Sequence, residues 1–416
     1  MPLTVSLPLD NLTSALRRLF PDIRGDRVML VGGTVRDAML GRPPQDIDLL
    51  TTLPGEDLLR YGFRQVIGKS TQPIWFRADR RLGTIEVTTL ASFDLLQHEL
   101  ARRDFTVNAM AVSLDGQLHD PLNGRNDLLQ RRLAACSPSC FDDDPLRLFR
   151  AFRFEADGWQ LTEASTTLIA SQDWSTRLAA LPAERFSREL LRALAAANPA
   201  RFFERMLQFR IGQHWLPELF HMPQVPAGPP EHHPEGDLLS HSLQVLQRAA
   251  DQTSDPLTRF CALFHDLGKL QTSPDQYPRH HGHDQAGAAL AVELCNRLRL
   301  PARYRRALAG VNRLHTTMGL WDTLRDATRL RLAQQAQKAG VTDLLPLVVQ
   351  ADKKPGATPL TRHWQLCLDI INLTTAELGI HQEQLYTLQP EALRDLILDR
   401  RVQALRACRT DALLPT

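Results

Sequence analysis

Residues 28–52 read VMLVGGTVRDAMLGRPPQDIDLLTT, and the rest of the chain is organised around this stretch. Val28 to Val31 is an apolar run of strand length, Gly32 and Gly33 interrupt it, and Thr34 to Leu40 reads as a short helix stopped by Gly41. A glycine turn between strand and helix lets the backbone approach a ligand closely, and the helix start turns unpaired N–H groups and a positive dipole end toward an anion. The expectation is a phosphate cradle at Gly33, with Arg36 adding a charge-assisted contact. Asp46 and Asp48 follow within DIDLL, a second strand, so both carboxylates leave from one face. Two acids held that close call for a cation between them. Magnesium, hard and oxygen-seeking, suits them, and a two-metal site activates an attacking hydroxyl while stabilising the leaving oxygen.

GGTVRDAMLG followed by DIDLL resembles the signature of the nucleotidyltransferase superfamily, in the form used by bacterial tRNA CCA-adding enzymes and their poly(A) polymerase relatives. The resemblance implies a template-independent transferase that adds cytidine and adenosine to the tRNA 3′ end from CTP and ATP and releases pyrophosphate, with Asp46 and Asp48 holding the metals. Glu86, within the β-forming run TIEVTT, has two readings: a third acid at the metals if its strand lies beside that of Asp46 and Asp48, or a solvent-facing strand residue. RRDFTVNAMAV, residues 102–112, resembles the family's second motif, which makes Arg103 a nucleotide contact with Asp104 and Asn108 in support. LHDPLNGRNDL, residues 118–128, looks like the turn that closes the catalytic sheet.

SPSCFDDDPLRLFRAFRF, residues 137–154, has the acidic start and first-turn proline of a helix. It resembles the family's base-template motif, and the resemblance carries that role to Asp144 and Arg147. Arginine offers only donors and aspartate only acceptors, so the pair matches the mixed edge of cytosine or adenine, and a spacing of three would set both on one helix face. Arg150 and Arg153 continue the step of three but rotate about 60 degrees each time, which suits triphosphate contacts rather than the same base. LPAERFSRELLRAL, residues 181–194, resembles the last core motif. One departure stands out. Family members that finish with adenosine have a long flexible loop before the RRD motif, whereas only LASFDLLQHELA separates Thr89 from Arg102 here, and it reads as a packed helix. A CC-adding enzyme is therefore the leading alternative, followed by a poly(A) polymerase and by an RNA-binding phosphohydrolase with an inactive head.

HMPQVPAGPPEHHPEGD, residues 221–237, is rich in proline and glycine and reads as a domain linker. Beyond it His241 opens a helix, CALFHDLGKL carries His265 and Asp266 side by side, and His283, His315 and Asp352 follow in order. The adjacent His-Asp pair with these partners resembles the HD phosphohydrolase superfamily, which implies a metal-dependent hydrolytic site with His241, His265, Asp266 and Asp352 as ligands and His283 and His315 as second-metal or phosphate contacts. Imidazole and carboxylate together suit a transition metal or magnesium without choosing between them.

A chain of 416 residues accommodates two to four domains. The expected architecture is α+β: a small mixed-sheet nucleotidyltransferase head over residues 1–140, a mostly α-helical neck and body over 141–220, an HD domain over 221–356 and a helical tail over 357–416. A formal net charge of only +2 confines any nucleic-acid surface to a local patch. Six scattered cysteines fit neither a disulfide framework nor metal knuckles, and no uncharged run spans a bilayer, so the chain reads as cytoplasmic, with tRNA, CTP and ATP as partners and no membrane. The oligomeric state is open.

Overall fold

The computed structural model describes residues 8–44, 46–66, 73–353 and 361–411. The chain divides into two compact units, Met1–Trp174 and Ser175–Thr416. The expected α+β class, a small mixed sheet followed by a mostly helical body, is what the structure contains.

The first unit is built on a seven-stranded sheet. After helix α1 (Pro8–Leu19) come β1 (Val28–Val31), α2 (Gly33–Met39), β2 (Asp46–Thr51), α3 (Gly55–Arg60), β3 (Arg64–Val66), β4 (Ile74–Asp79), β5 (Gly83–Thr89), α4 (Leu96–Ala101), β6 (Ala111–Ser113) and β7 (Leu118–His119), and the strands lie in the order β3-β4-β5-β2-β1-β6-β7. Among the described residues of this sheet the β2–β5 pairing alone is parallel; its register sets Asp46 against Thr84 and Asp48 against Glu86. The first part of GKSTQPIWFRAD, residues 68–72, lies outside the described residues.

Alternation in β2 gives the two sheet faces different work. Ile47 and Leu49 are buried on one side, while Asp46 and Asp48 leave from the other. Toward the far end, Met29, Val31, Leu50, Ala109 and Ala111 form an apolar cluster that Leu90, Leu96 and Leu100 cover. The LASFDLLQHELA segment is therefore a packed helix, as its composition predicts. Burying each leucine contributes on the order of 2 kcal/mol, which holds α4 down. The turn after β7 is structural in the expected way. Asp120 accepts the N–H groups of Gly124 (2.6 Å) and Arg125 (2.9 Å). Asp127 accepts from Thr106 Oγ1 at 2.7 Å, so the turn supports the RRDFTVN segment from beneath. Two short helices, α5 (Gly124–Leu129) and α6 (Cys140–Asp143), precede α7 (Leu146–Ala156).

The second unit is helical. Its HD core packs Leu238–Gln252 and Pro256–Leu263 together, with Leu344–Asp352 against both and His283–Arg297 paired with Ala302–Gly319. Phe186, from the helix Ala183–Leu194, stacks on Trp215 at 4.6 Å between ring centres. Buried Arg259 ties that helix to the core: it donates to the carbonyls of Leu194 and Ala196, both at 2.6 Å, of Thr253 at 2.6 Å and of Ala250 at 2.9 Å. The stretch 221–237 is no free linker. Met222, Val225 and Ala227 are buried, Ala227 N donates to Gly236 O (2.9 Å), and Leu238 N donates to Val225 O (2.8 Å). Its prolines and glycines serve a tight ordered loop inside this unit. Residues 354–360, where the expected HD domain meets the tail, lie outside the described residues.

Candidate active site and candidate metal centre

The turn after β1 depends on Gly32. Its φ of 66° and ψ of −135° suit glycine, and a Cβ there would stand 2.2 Å from Arg103 Nη1 and 3.6 Å from Asp48 Oδ2. The missing side chain thus leaves the space that the Arg103 guanidinium occupies, close enough to Asp48 for its charge to act on the acid. Thr34, on the first turn of α2, clamps the acidic strand: its Oγ1 accepts the Asp48 N–H at 2.8 Å and donates to the Asp46 carbonyl at 3.2 Å. Sequence reasoning passed over Thr34, although it sits inside the quoted motif.

Arg36 is held in a fixed pose. It donates to Asp37 through Nε (2.8 Å) and Nη2 (2.9 Å) and to Asn108 Oδ1 through Nη1 (2.6 Å), with its guanidinium 5.1 Å from the Phe154 ring centre. Asn108 in turn donates to buried Asp104 at 2.9 Å, and Asp104 pairs with Arg150 at 2.8 Å. Asp104 and Asn108 therefore orient the cationic residues. Burial alone would raise the Asp104 carboxyl, but Arg150, Asn108 and the Phe105 N–H outweigh it and hold it below the ordinary range.

Glu86 lies directly beside Asp48, the strand placement that the first of its two readings requires. Burial pushes the Asp48 carboxyl up and Asp46 adds to it, while Arg103, Arg150 and Arg36 pull the other way. Glu86 is raised too, by burial and then by Asp48 and Asp46. With Asp46 acting on both Asp48 and Glu86, and three guanidiniums acting on Asp48 in the opposite sense, the site is short of positive charge at the acids themselves. An all-oxygen donor set of this kind fits a hard divalent cation.

Along α7 the structure differs from the sequence expectation. Asp144 is not on the helix: its φ of −150° and ψ of 98° are extended, because a residue before proline is driven out of the α region, and its Oδ1 accepts the Leu146 N–H at 3.2 Å. The shared helix face for Asp144 and Arg147 is thereby replaced by a position just ahead of the first turn. Arg147 spends donors on backbone, Nη1 to Cys140 O (3.0 Å) and Nη2 to Arg102 O (2.6 Å), which fixes its guanidinium beside the RRD segment. Arg150 reaches Asp104, and Arg153 lies 4.5 Å from the centre of the Phe154 ring that Arg36 also covers.

In the second unit the four expected ligands converge. His241 Nε2 is 3.1 Å from Asp352 Oδ1 and 3.4 Å from His265 Nε2, and His265 Nε2 is 3.2 Å from Asp266 Oδ2 and 3.5 Å from Asp352 Oδ1. The other oxygen of Asp266 faces His315 Nε2 (3.1 Å) and His283 Nε2 (3.4 Å). Each imidazole has its Nδ1 taken: His241 by Glu235 (2.7 Å), His265 by Ala262 O (2.9 Å), His283 by His280 O (2.7 Å) and His315 by Val311 O and Asn312 O (3.1 Å each). A proton on Nδ1 leaves the Nε2 lone pair directed inward, the arrangement a metal requires. Burial would lower the His265 imidazole, but Asp266 and Asp352 override it and push its pKa up to about 10, a measure of how strongly this pocket attracts a cation. Burial would raise Asp266, yet Lys269 Nζ at 2.7 Å and the His265 charge hold it well below the ordinary range.

Glu235 and Lys269 escaped the sequence reading. Glu235 lies in the proline-rich stretch taken for a linker, and its only signal was its distance of six residues from His241. His280, by contrast, is structural, since Thr272 Oγ1 (3.0 Å) and Pro226 O (2.8 Å) occupy both its nitrogens.

These two centres have counterparts in known proteins. The family profile described as "Poly A polymerase head domain" matches residues 28–93 and 75–134, "Probable RNA and SrmB- binding site of polymerase A" matches 164–222, and "HD domain" matches 238–353. A multifunctional CCA protein of Nitrosococcus oceani is 38% identical over 324 residues, covering 73% of this chain and 78% of that one. Its counterpart in Legionella pneumophila is 33% identical over 369 residues, covering 83% and 89%. Among solved structures, a Thermotoga maritima CCA-adding enzyme complexed with tRNA shares the fold at a TM-score of 0.63 and 20% identity, over 95% of this chain and 90% of that one. With both centres assembled from its own residues and identity of this order over most of its length, the chain belongs to the multifunctional CCA protein family.

Proposed function

We infer that the protein is a tRNA nucleotidyltransferase that builds the CCA end from CTP and ATP, and that its HD centre is a metal-dependent phosphohydrolase. The observation that carries the first reading is the register of β2 and β5, which lines up Asp48 with Glu86 while Arg36, Arg103 and Arg150 face the same acids. Asp46 and Asp48 would hold Mg2+, which would supply the positive charge that activates the hydroxyl and stabilises the leaving oxygen. Arg36, Arg103 and Arg150 receive the triphosphate, with Arg153 at its outer end, and Gly33 lets it approach the backbone. Glu86 orients the tRNA 3′ hydroxyl and takes its proton. The 3′ oxygen then forms a bond to the α-phosphorus, the bond to the bridging oxygen breaks, and pyrophosphate leaves. Asp144 and Arg147 meet the base edge; the two backbone anchors of Arg147 limit its motion and so sharpen the choice of base.

At the HD centre His241, His265, Asp266 and Asp352 would hold a divalent metal, and His283 and His315 line the far side of Asp266. The metal would supply the Lewis acidity that activates water against a phosphoester. Action on tRNA suits a cytoplasmic protein, and no described helix is long and apolar enough to cross a membrane.

The deciding experiment incubates the protein with tRNA lacking its 3′ end and labelled CTP and ATP, separately and together. Addition of two cytidines and one adenosine supports the reading, a longer ladder indicates a poly(A) polymerase, and no addition overturns it. Packed α4 makes the last step the one to isolate: tRNA ending in CC, offered ATP alone, separates CCA synthesis from CC addition.

A further inference from the structure

The catalytic acids belong to a row that runs on across the sheet. Asp48 of β2 is in register with Glu86 of β5, Glu86 with Phe76 of β4, and Phe76 with Arg64 of β3. Residues paired in register share a face, so two carboxylates, an aromatic ring and a guanidinium stand in line on the catalytic side. Phe76 is half-buried, and no stacked or edge contact to another ring occupies it among the described residues. Arg64 is exposed and makes no ion pair among the described residues. One register step along, Val66 is 48% exposed on the same face. A groove of about 1020 Å³ opens at this edge, lined by Arg64, Phe76 and Thr84 together with Arg18, Arg60 and Arg77, and no carboxylate lines it.

The direction of the reaction says what belongs there. Arg36, Arg103 and the Gly32 turn lie toward β1 and α2, so the triphosphate and its departing pyrophosphate occupy that side of Asp48. An in-line displacement brings the attacking oxygen from the opposite side, which is the side of Glu86 and, beyond it, Phe76 and Arg64. An aromatic face followed by a guanidinium that makes no ion pair among the described residues, Arg64, is the chemistry that holds a single strand, one element for a base and the other for its phosphodiester. We propose that Phe76 and Arg64 are positioning residues for the acceptor strand: Phe76 stacks on a base at the tRNA 3′ end, Arg64 pairs with a neighbouring phosphodiester, and the groove past Arg18 and Arg60 carries the strand away from the sheet. This rests on the transferase reading above and extends it to the second substrate.

The test is steady-state CTP addition to tRNA lacking its 3′ end, by wild type, Phe76→Ala, Phe76→Trp and Arg64→Ala, with thermal melting to check the fold. Phe76→Ala is expected to raise the KM for tRNA by about tenfold or more, the range found when a stacking ring is removed, with the KM for CTP within about twofold and Phe76→Trp restoring the tRNA value. Arg64→Ala is expected to raise the tRNA KM and to flatten its dependence on salt by about one phosphate contact. Because Arg64 is exposed, that variant decides the matter if Phe76→Ala does not fold. A tRNA KM within about twofold of wild type in the folded variants, or an equal rise in the CTP KM, overturns the inference and leaves the transferase reading standing. Absence of addition by wild type overturns both.

Discussion

Replacing Gly32 with alanine tests how the phosphate turn is built. Two separate costs are expected. At φ 66° an L-residue is strained by roughly 1–3 kcal/mol, which in a unit of this size lowers the melting temperature by about 3–8 °C. The new methyl would also stand 2.2 Å from Arg103 Nη1, so the guanidinium must leave its place beside Asp48. If Arg103 makes a charged hydrogen bond to the nucleotide, its loss removes about 1.5–3 kcal/mol, or roughly 10- to 150-fold in kcat/KM for CTP. Gly41 is the control: its φ is 73°, but nothing lies within 4 Å of its would-be Cβ, so Gly41→Ala should cost stability and leave kcat/KM near wild type. A double-mutant cycle separates the two effects, because in an Arg103→Ala background Gly32→Ala should add little further loss of activity. Kinetics of CTP addition and melting curves are measured on all four variants. Full kcat/KM in Gly32→Ala, or additive losses in the double mutant, would refute the claim that the glycine exists to admit Arg103.

Glu86 and Asp48 both bind their protons more tightly folded than unfolded, so folding takes up protons there and the stability they contribute falls as pH rises past the ordinary carboxylate range. Without metal at neutral pH, Glu86→Gln and Asp48→Asn should therefore melt higher than wild type, and a lower melting point in both would contradict the electrostatics. Arg147→Ala is expected to narrow the preference for CTP over UTP by about fivefold or more, read from competing incorporation, and an unchanged ratio removes it from base selection. Glu235→Gln should weaken metal binding at the HD centre by about 10- to 100-fold, measured by metal content after dialysis against graded free metal, since His241 would lose the partner that orients it. Arg259→Met should destabilise the protein by at least about 3 kcal/mol in urea unfolding, because four carbonyls, two of them in fully buried hydrogen bonds, lose their donors together.

What was legible in the sequence was local. Four apolar residues, two glycines and a short amphipathic run determine β1, the turn and α2, and the alternation of DIDLL by itself sends Asp46 and Asp48 to one face. The leucines of LASFDLLQHELA announce a packed helix, and His241, His265, Asp266 and Asp352, through their resemblance to the HD superfamily, point to the candidate metal centre where the structure brings them together. Other parts depended on residues that carry no information about one another along the chain. Glu86 meets Asp48 only because β5 returns parallel to β2 across three intervening elements, and a register between strands so far apart leaves no periodic trace. The same holds for Phe76 and Arg64, whose place in the row exists only once β4 and β3 are added in sequence to that edge. Asp144 was misplaced because charge and spacing suggest a helix start, whereas the steric demand of Pro145 settles the backbone one residue earlier. Glu235 was lost in a stretch whose prolines resembled a linker, and only the folded loop, closed by backbone hydrogen bonds between Ala227 and Gly236, carries its carboxylate to His241.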